Sequence, residues 1–498
     1  MTSVAGRRLS TASPEKNRPG YLSGACWAIP GAVTLGICLW RIGTPTYWRD
    51  ESVSVVVGHS GVGGIRDFTE HIDAVHRLYY LLMDLVTLFG TDEAVTRAPS
   101  AMAAALAAVG IAVLGRRLHS ARAGLYGGLL YGLLPITSRY GQEVRQYAIV
   151  SAGAVLATYL LLRALQGPRH RIAWYAAYAG AMGLLGWLHL YALFLLPAHG
   201  LTVAIWNGDG RIRRLACWGS AALVSVLAVV PLVLSARGQE GTQVSWLSRP
   251  GAGALYDFGL LIAGSGVVLA LLVAAVAAGL VGRGQREAVA LVVPWLLVPV
   301  AVAWTISQAH PVYHPRYVLY SVCAFALLAG MGLATAGSWV PARRAWVAPA
   351  ATAVALVCLA AAVLPDHVAM RGPRSRPDDL RGLATVLRRS ARPGDAVVYL
   401  PADRRVFATA YAGAFARLNA APLHDGGKDL PTPRFKAALA AQSRIWVVEI
   451  PPPGHRYRTP VPMGNRKALR ADARFHAAAG WNFGGVLLTL FERKHKAA

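Results

Sequence analysis

Apolar residues in this chain gather into long unbroken stretches joined by short polar, basic segments. Leu215 to Leu234, Phe258 to Val281, Ala288 to Ile306, Val318 to Ala336 and Trp346 to Leu364 each run about 18–24 residues, enough to cross a hydrocarbon core about 30 Å thick. A soluble fold has no reason to repeat that length. Tyr21 to Trp40 has no small-residue cleavage site and is too long for a signal-peptide core, so it is read as a retained first span. Ala98 to Leu114 and Gly124 to Ile136 follow as the second and third. One apolar stretch breaks the pattern. Arg77 to Gly90 (RLYYLLMDLVTLFG) is only about fourteen residues long and holds Asp84, so it is predicted to lie at the interface or to re-enter.

Leaving that stretch out makes the basic joints alternate. Arg116, Arg117 and Arg122 fall on one side, and so do Arg163, Arg169 and Arg171. Arg211, Arg213 and Arg214 join them, then Arg283 and Arg286, then Arg343 and Arg344. The positive-inside rule makes that side cytoplasmic. The intervening loops, His189 to Tyr191, Ala236 to Asp257 and Ser307 to Arg316, hold fewer arginines. Counting the short stretch as a span would turn every later Arg cluster outward. About eleven spans result. Residues 1–20, with Arg7, Arg8, Lys16 and Arg18 among Pro and Ser, read as a disordered cytoplasmic tail. Residues 21–365 form the transmembrane domain of a multi-pass plasma-membrane protein, with a first outer loop at about 41–97.

Residues 366–498 differ in kind. An amphipathic helix, Leu380 to Arg389, precedes the strand-like Ala396-Val-Val-Tyr-Leu400, and Arg444 to Ile450 and Gly485 to Glu492 read as further strands. Strands alternating with helices predict a small α/β domain on the extracytoplasmic side. The expected fold class is therefore an all-α polytopic membrane protein with interfacial helices and this appended domain. Gly61-Val-Gly-Gly64 reads as a turn rather than a phosphate cradle, and no fixed-period repeat is present.

Composition sharpens this reading without changing it. The chain has 498 residues, 55% of them hydrophobic, and a net charge of +26. Because much of that charge sits between spans, a nucleic-acid partner is excluded; a basic C-terminal surface suits membrane lipids instead. The five cysteines, Cys26, Cys38, Cys217, Cys323 and Cys358, lie in or beside apolar stretches, which argues against a disulfide framework or a CxxC metal site.

Polar residues with chemical potential gather on the outer side. Asp50 and Glu51, behind Tyr47-Trp48-Arg49, would sit just above headgroup level, where adjacent carboxylates suit a general base or a metal ligand, or are merely solvated loop charges. Asp73 and His76 open the short apolar stretch that carries Tyr79, and Asp73 there is equally suited to capping. Arg139-Tyr-Gly-Gln142-Glu143-Val-Arg145-Gln-Tyr147 places three charges between two spans, where ionisable groups function or pair with one another. His310-Pro-Val-Tyr-His314-Pro-Arg316-Tyr317 offers an arginine suited to bidentate phosphate binding or to snorkelling, and its prolines rule out a helical His-x-x-x-His zinc site. His189 and Tyr191 end another span.

Taken in order, Asp50-Glu51, Asp73-x-x-His76-x-Leu-Tyr-Tyr-Leu-Leu, Arg139-Tyr-x-Gln-Glu-x-Arg-x-Tyr147 and Pro315-Arg-Tyr317 resemble the GT-C glycosyltransferases. The resemblance is to the bacterial mannosyltransferase-like branch related to protein O-mannosyltransferases, aminoarabinose transferases and actinobacterial polyprenyl-phosphomannose-dependent enzymes. It spans about residues 20–335. It departs from the pattern at His76-Arg77, where many relatives have His-Pro-Pro. The resemblance implies inverting transfer of a sugar, mannose before arabinose, from a polyprenyl-phosphate carrier to a hydroxyl of a glycolipid, glycan or protein. It implies Asp50 as the base, with Glu51 orienting the acceptor or binding a divalent metal in members that use one. Arg316 is the first candidate for the departing phosphate, helped by Tyr317, His310, His314 and Arg145. Asp73, His76, Tyr79, Gln142, Glu143, His189 and Tyr191 are left to bind acceptor or sugar. A lipid-linked sugar transporter is the rival class, but it would place its charges near the bilayer midplane in repeated halves.

Overall fold

A computed structural model describes residues 22–167, 170–207, 209–239, 247–282, 285–344, 346–425, 427–450 and 460–494. The predicted tail at 1–20, Arg169 and Arg283 lie outside the described residues. Helix α1 (Leu22–Leu39) is followed by three short helices, α2 (Arg49–Gly58), α3 (Gly61–His71) and α4 (Arg77–Thr87). Then come α5 (Glu93–Leu118), α6 (Ala121–Leu133), α7 (Pro135–Gly141), α8 (Tyr147–Gln166), α9 (Arg171–Leu188), α10 (Leu195–Ile205) and α11 (Arg211–Ala236). The membrane part closes with α12 (Gly253–Ala263), α13 (Gly266–Val281), α14 (Arg286–Ile306), α15 (Ser321–Ser338) and α16 (Val347–Ala369).

Apolar helices or helix pairs stand at each expected span. Among the described residues six are long and apolar enough to cross a membrane alone, and a seventh if the bent pair α12–α13 counts as one. The others, such as Trp27–Leu39 and Leu190–Ile205, are shorter. Buried small residues on α5 (Ala101, Ala104, Ala108 and Ala112) give the close packing that helices in lipid depend on. By contrast α16 turns Val354, Val357 and Leu364 outward, as a lipid-facing helix does.

Three expectations are corrected. The stretch 258–281, read as one span, breaks into α12 and α13 at a bend of 93°. Gly264 stands there at φ +78, and Ser265 caps α13 by accepting from the Val268 amide, so the chain is built to turn. Gly61–Gly64, read as a turn, is the first turn of α3. Burial of Ile65 and Thr69 on one face outweighs the poor helix propensity of glycine. The third span stops at Leu133, because Pro135 starts a separate helix, α7, which carries Arg139.

The short stretch behaves as expected of an interfacial helix. With 11 residues, α4 is about 16 Å long, half of what a span needs. Tyr79, Tyr80 and Met83 are buried, while Leu85, Leu88 and Phe89 are exposed.

After α17 (Leu380–Ser390) the chain forms β1 (Asp395–Leu400), β2 (Leu418–Asn419), the small hairpin β3 (His424–Asp425) and β4 (Lys428–Asp429), then α18 (Thr432–Leu439), β5 (Arg444–Glu449), α19 (Pro460–Ala471), β6 (Phe475–Asn482) and β7 (Leu487–Arg493). The sheet order is β2-β1-β5-β7-β6. β1 runs parallel to β2 and β5, whereas β7 runs antiparallel to β5 and β6. Alternate residues of β1 enter different cores. Ala396, Val398 and Leu400 pack with Phe435, Leu439 and Leu469. Val397 and Tyr399 share a core with Leu383 and Leu387 of α17 and with Val53, Val55, Ile65, Tyr80 and Met83 of α2, α3 and α4. The C-terminal sheet and these short helices therefore have one hydrophobic core between them.

Candidate active site

The segment between α1 and α5 is fastened before it presents anything. Arg97, at the start of α5, is fully buried, and all five of its N–H groups find acceptors. Nε and Nη2 each donate at 2.8 Å to the two oxygens of Glu51; Nη1 donates to the Ile42 and Pro45 carbonyls, and Nη2 also to that of Thr46. The Val144 amide donates to Glu51 as well, at 3.0 Å. Burial alone would raise the Glu51 carboxyl, but the Arg97 charge and these hydrogen bonds hold it below the usual range.

Asp50, one residue earlier, faces elsewhere. Its side chain keeps 24% exposure, and its Oδ2 accepts from Arg316 Nη1 at 3.0 Å. Arg316 belongs to a 3₁₀ turn, Pro315–Val318, and its amide donates to His314 Nδ1 at 3.3 Å. The guanidinium lies 5.9 Å from the Tyr147 ring centre and 5.5 Å from that of Tyr317. Tyr317 stacks on Tyr191 at 5.0 Å, and His189 stands edge-on to Tyr147 and Tyr191 with its Nε2 3.2 Å from the Tyr317 carbonyl oxygen. Burial pushes His189 down to about 3 and His314 to about 4, so both rings are neutral beside the guanidinium groups.

A second cluster adjoins the first. His76 Nδ1 is 2.6 Å from Asp73 Oδ1, and Tyr80 donates its hydroxyl to the other Asp73 oxygen. Arg145 Nη2 is 3.2 Å from His76 Nε2. Arginine only donates, so His76 accepts at Nε2 and carries its hydrogen at Nδ1, toward Asp73. Asp73 holds this post in a left-handed conformation, φ 64.

The remaining candidates divide. Glu143 is buried and its partner is Arg139, 3.6 Å away, rather than Arg145. Burial raises its carboxyl, and its Oε1 has no hydrogen-bond partner among the described residues. Gln142 is spent on structure, donating to the Cys38 and Trp40 carbonyls. Tyr79 is buried in the core beside Val144, and His310 lies exposed, outside the ring cluster. Arg97, Tyr80 and Arg139 were not among the sequence candidates. A charged residue opening a span was the available signal for Arg97. Among the described residues no three His, Cys, Asp or Glu side chains converge as a metal site, and Asp50 and Glu51 each face an arginine. That donor set does not fit a divalent-cation cage.

Residues 78–234 match the family model described as dolichyl-phosphate-mannose-protein mannosyltransferase. No curated protein matches by sequence. Among solved structures, ArnT from Cupriavidus metallidurans bound to undecaprenyl phosphate superposes over 94% of this chain and 98% of its own, at 15% identity and a TM-score of 0.62. The archaeal oligosaccharyltransferase AglB from Archaeoglobus fulgidus, in complex with an inhibitory peptide and a dolichol-phosphate, superposes over 86% of this chain and 69% of its own, at 12% identity and a TM-score of 0.52. The chain thus shares its overall fold with these two solved structures.

Proposed function

We propose that this protein is a lipid-linked glycosyltransferase that moves a sugar, mannose in the first instance, from a polyprenyl phosphate to an acceptor hydroxyl on the extracytoplasmic face, with inversion. The observation that carries the reading is the Asp50–Arg316 pair. A partly exposed carboxylate and a guanidinium meet from segments 266 residues apart, ringed by tyrosines and neutral histidines.

Each partner has a task in this reaction. The donor phosphate competes for Arg316 and leaves Asp50 free to accept a proton. The acceptor oxygen attacks the anomeric carbon as its proton passes to Asp50. The bond from that carbon to the phosphate oxygen breaks, and the carrier leaves as a phosphate with one more negative charge. Arg316, with Arg145 nearby, stabilises that charge where it develops. The stacked Tyr191 and Tyr317 offer flat apolar faces to the sugar, and Tyr147 flanks the guanidinium. Glu51 takes no proton here: both its oxygens are committed, so it positions the loop.

The matched mannosyltransferase model and the undecaprenyl- and dolichol-phosphate complexes of the two similar structures support the carrier class. The test is transfer from synthetic polyprenyl-phosphate mannose, with the arabinosyl donor in parallel, to a panel of glycolipid, glycan and Ser/Thr peptide acceptors. Wild type should give product and Asp50→Asn should lose about 10²–10⁴-fold. Equal turnover by both would remove Asp50 from the reaction.

A further inference from the structure

Helix α2 begins one residue before Asp50 and has no cap of its own: Trp48 precedes it, and that side chain makes no cap hydrogen bond. The free amide at Arg49 is instead met by Asp378, from the segment between the membrane domain and the C-terminal sheet. Asp378 Oδ2 accepts from the Arg49 amide at 2.9 Å and from Arg49 Nε at 3.0 Å. Its Oδ1 accepts from the Gly485 amide at 2.6 Å, in the turn before β7. The Asp378 side chain has no exposure.

Neighbouring contacts repeat the pattern. Ser52 donates to the Val406 carbonyl at 2.7 Å and accepts from the Ala410 amide, and the Tyr411 hydroxyl accepts from the Tyr47 amide. Of three consecutive residues, Arg49 is held by Asp378 and Glu51 by Arg97. Asp50, between them, keeps only side-chain freedom.

We infer that Asp378 is a positioning residue: the C-terminal domain caps the helix of Asp50 from outside and so sets the direction of its carboxylate. This rests on the reading of Asp50 as the base. A buried carboxylate taking three N–H groups at a helix N-terminus is a charge-assisted, dipole-favoured cap. A base held by such contacts needs no reorganisation when acceptor arrives.

Two substitutions reach the clamp from opposite sides. Asp378→Asn keeps the volume but turns an NH₂ toward donors. Gly485→Ala removes no polar group, but its methyl would press against Arg49 Cζ and stand 2.5 Å from Asp378 Oδ1. Hydrogen exchange of the full-length protein in detergent reads the clamp directly. In wild type the Arg49 and Gly485 amides, which both donate to Asp378, should exchange as slowly as the interior of α2. Either variant should speed them about tenfold, with exchange in α5 unchanged. In the transfer assay kcat should fall about tenfold at unchanged donor KM, because Arg316 is untouched.

Fast exchange at the Arg49 and Gly485 amides in wild type, or no change there in both variants, would overturn the clamp. Faster exchange with wild-type kcat would overturn its link to Asp50. If wild type transfers from no donor, the functional reading fails while the exchange result still decides the clamp. If one variant does not fold, the other and the wild-type measurement decide it.

Discussion

Replacing Glu51 with glutamine separates the two neighbouring carboxylates by role. The substitution keeps the shape but removes a charge from a pair in which both side chains are fully buried. Arg97 would keep its three carbonyl acceptors and lose the anion that offsets its charge. An amide NH₂ would also face either Arg97 or the Val144 amide, both donors. Breaking a buried ion pair from one side costs about 3–5 kcal/mol, so the melting midpoint of Glu51→Gln in detergent should drop by several degrees. Acid should sharpen the contrast. The Glu51 carboxyl is held below its ordinary range, so its contribution is present above that range and is lost as pH falls through the lowered value. Wild type should therefore lose stability on acidification by an increment that Glu51→Gln lacks. Midpoints by tryptophan fluorescence between pH 3 and pH 8, roughly the range over which carboxylates and histidines titrate, measure both effects. A variant as stable as wild type at pH 7 that still loses transfer as Asp50→Asn does would refute the structural role and make Glu51 a reacting group.

Arg316→Ala should raise donor KM and lower kcat, and Arg316→Lys should recover part of both; unchanged donor kinetics in the alanine variant would place the phosphate elsewhere. His189 and His314 are held neutral, so their contribution to stability is full above about 6.5 and falls away toward about 3 and about 4 respectively. His189→Gln should flatten the wild-type stability loss between pH 6.5 and about pH 3, measured as melting midpoint. In a cysteine-free background, an impermeant maleimide added to intact cells should label a cysteine at the exposed position of Arg66 and not one at that of Arg213. The opposite pattern would reverse the proposed orientation.

The membrane domain was legible because lipid enforces a length rule, and the 20-residue run of α8 or the 26-residue run of α11 reads directly as apolar sequence. The strands at β1, β5 and β7 were legible from their apolar runs. β6 was not, since Phe475-His-Ala-Ala-Ala-Gly-Trp-Asn482 is an exposed edge that carries little apolar pattern. The helical state of α2 was hidden because its character comes from partners: its buried residues face the C-terminal sheet, and its cap is 329 residues away. Within the site, Asp50 and Arg316 stood out as charges at outer helix ends, and the structure brings them together. The split between Asp50 and Glu51 could not be read from adjacency. It depends on Arg97, placed just where the second apolar run was taken to begin.

Trp48-Arg49-Asp50 and Asp378 are made at very different times. At a synthesis rate of about 5–20 residues per second, the stretch between Arg49 and Asp378 takes some tens of seconds to emerge. Throughout that interval the first outer loop has its Arg97 anchor but not its outer latch, and α2 has no cap. On the proposed reading of Asp50 as the base, that base would come into register only after the segment carrying Asp378 had been made.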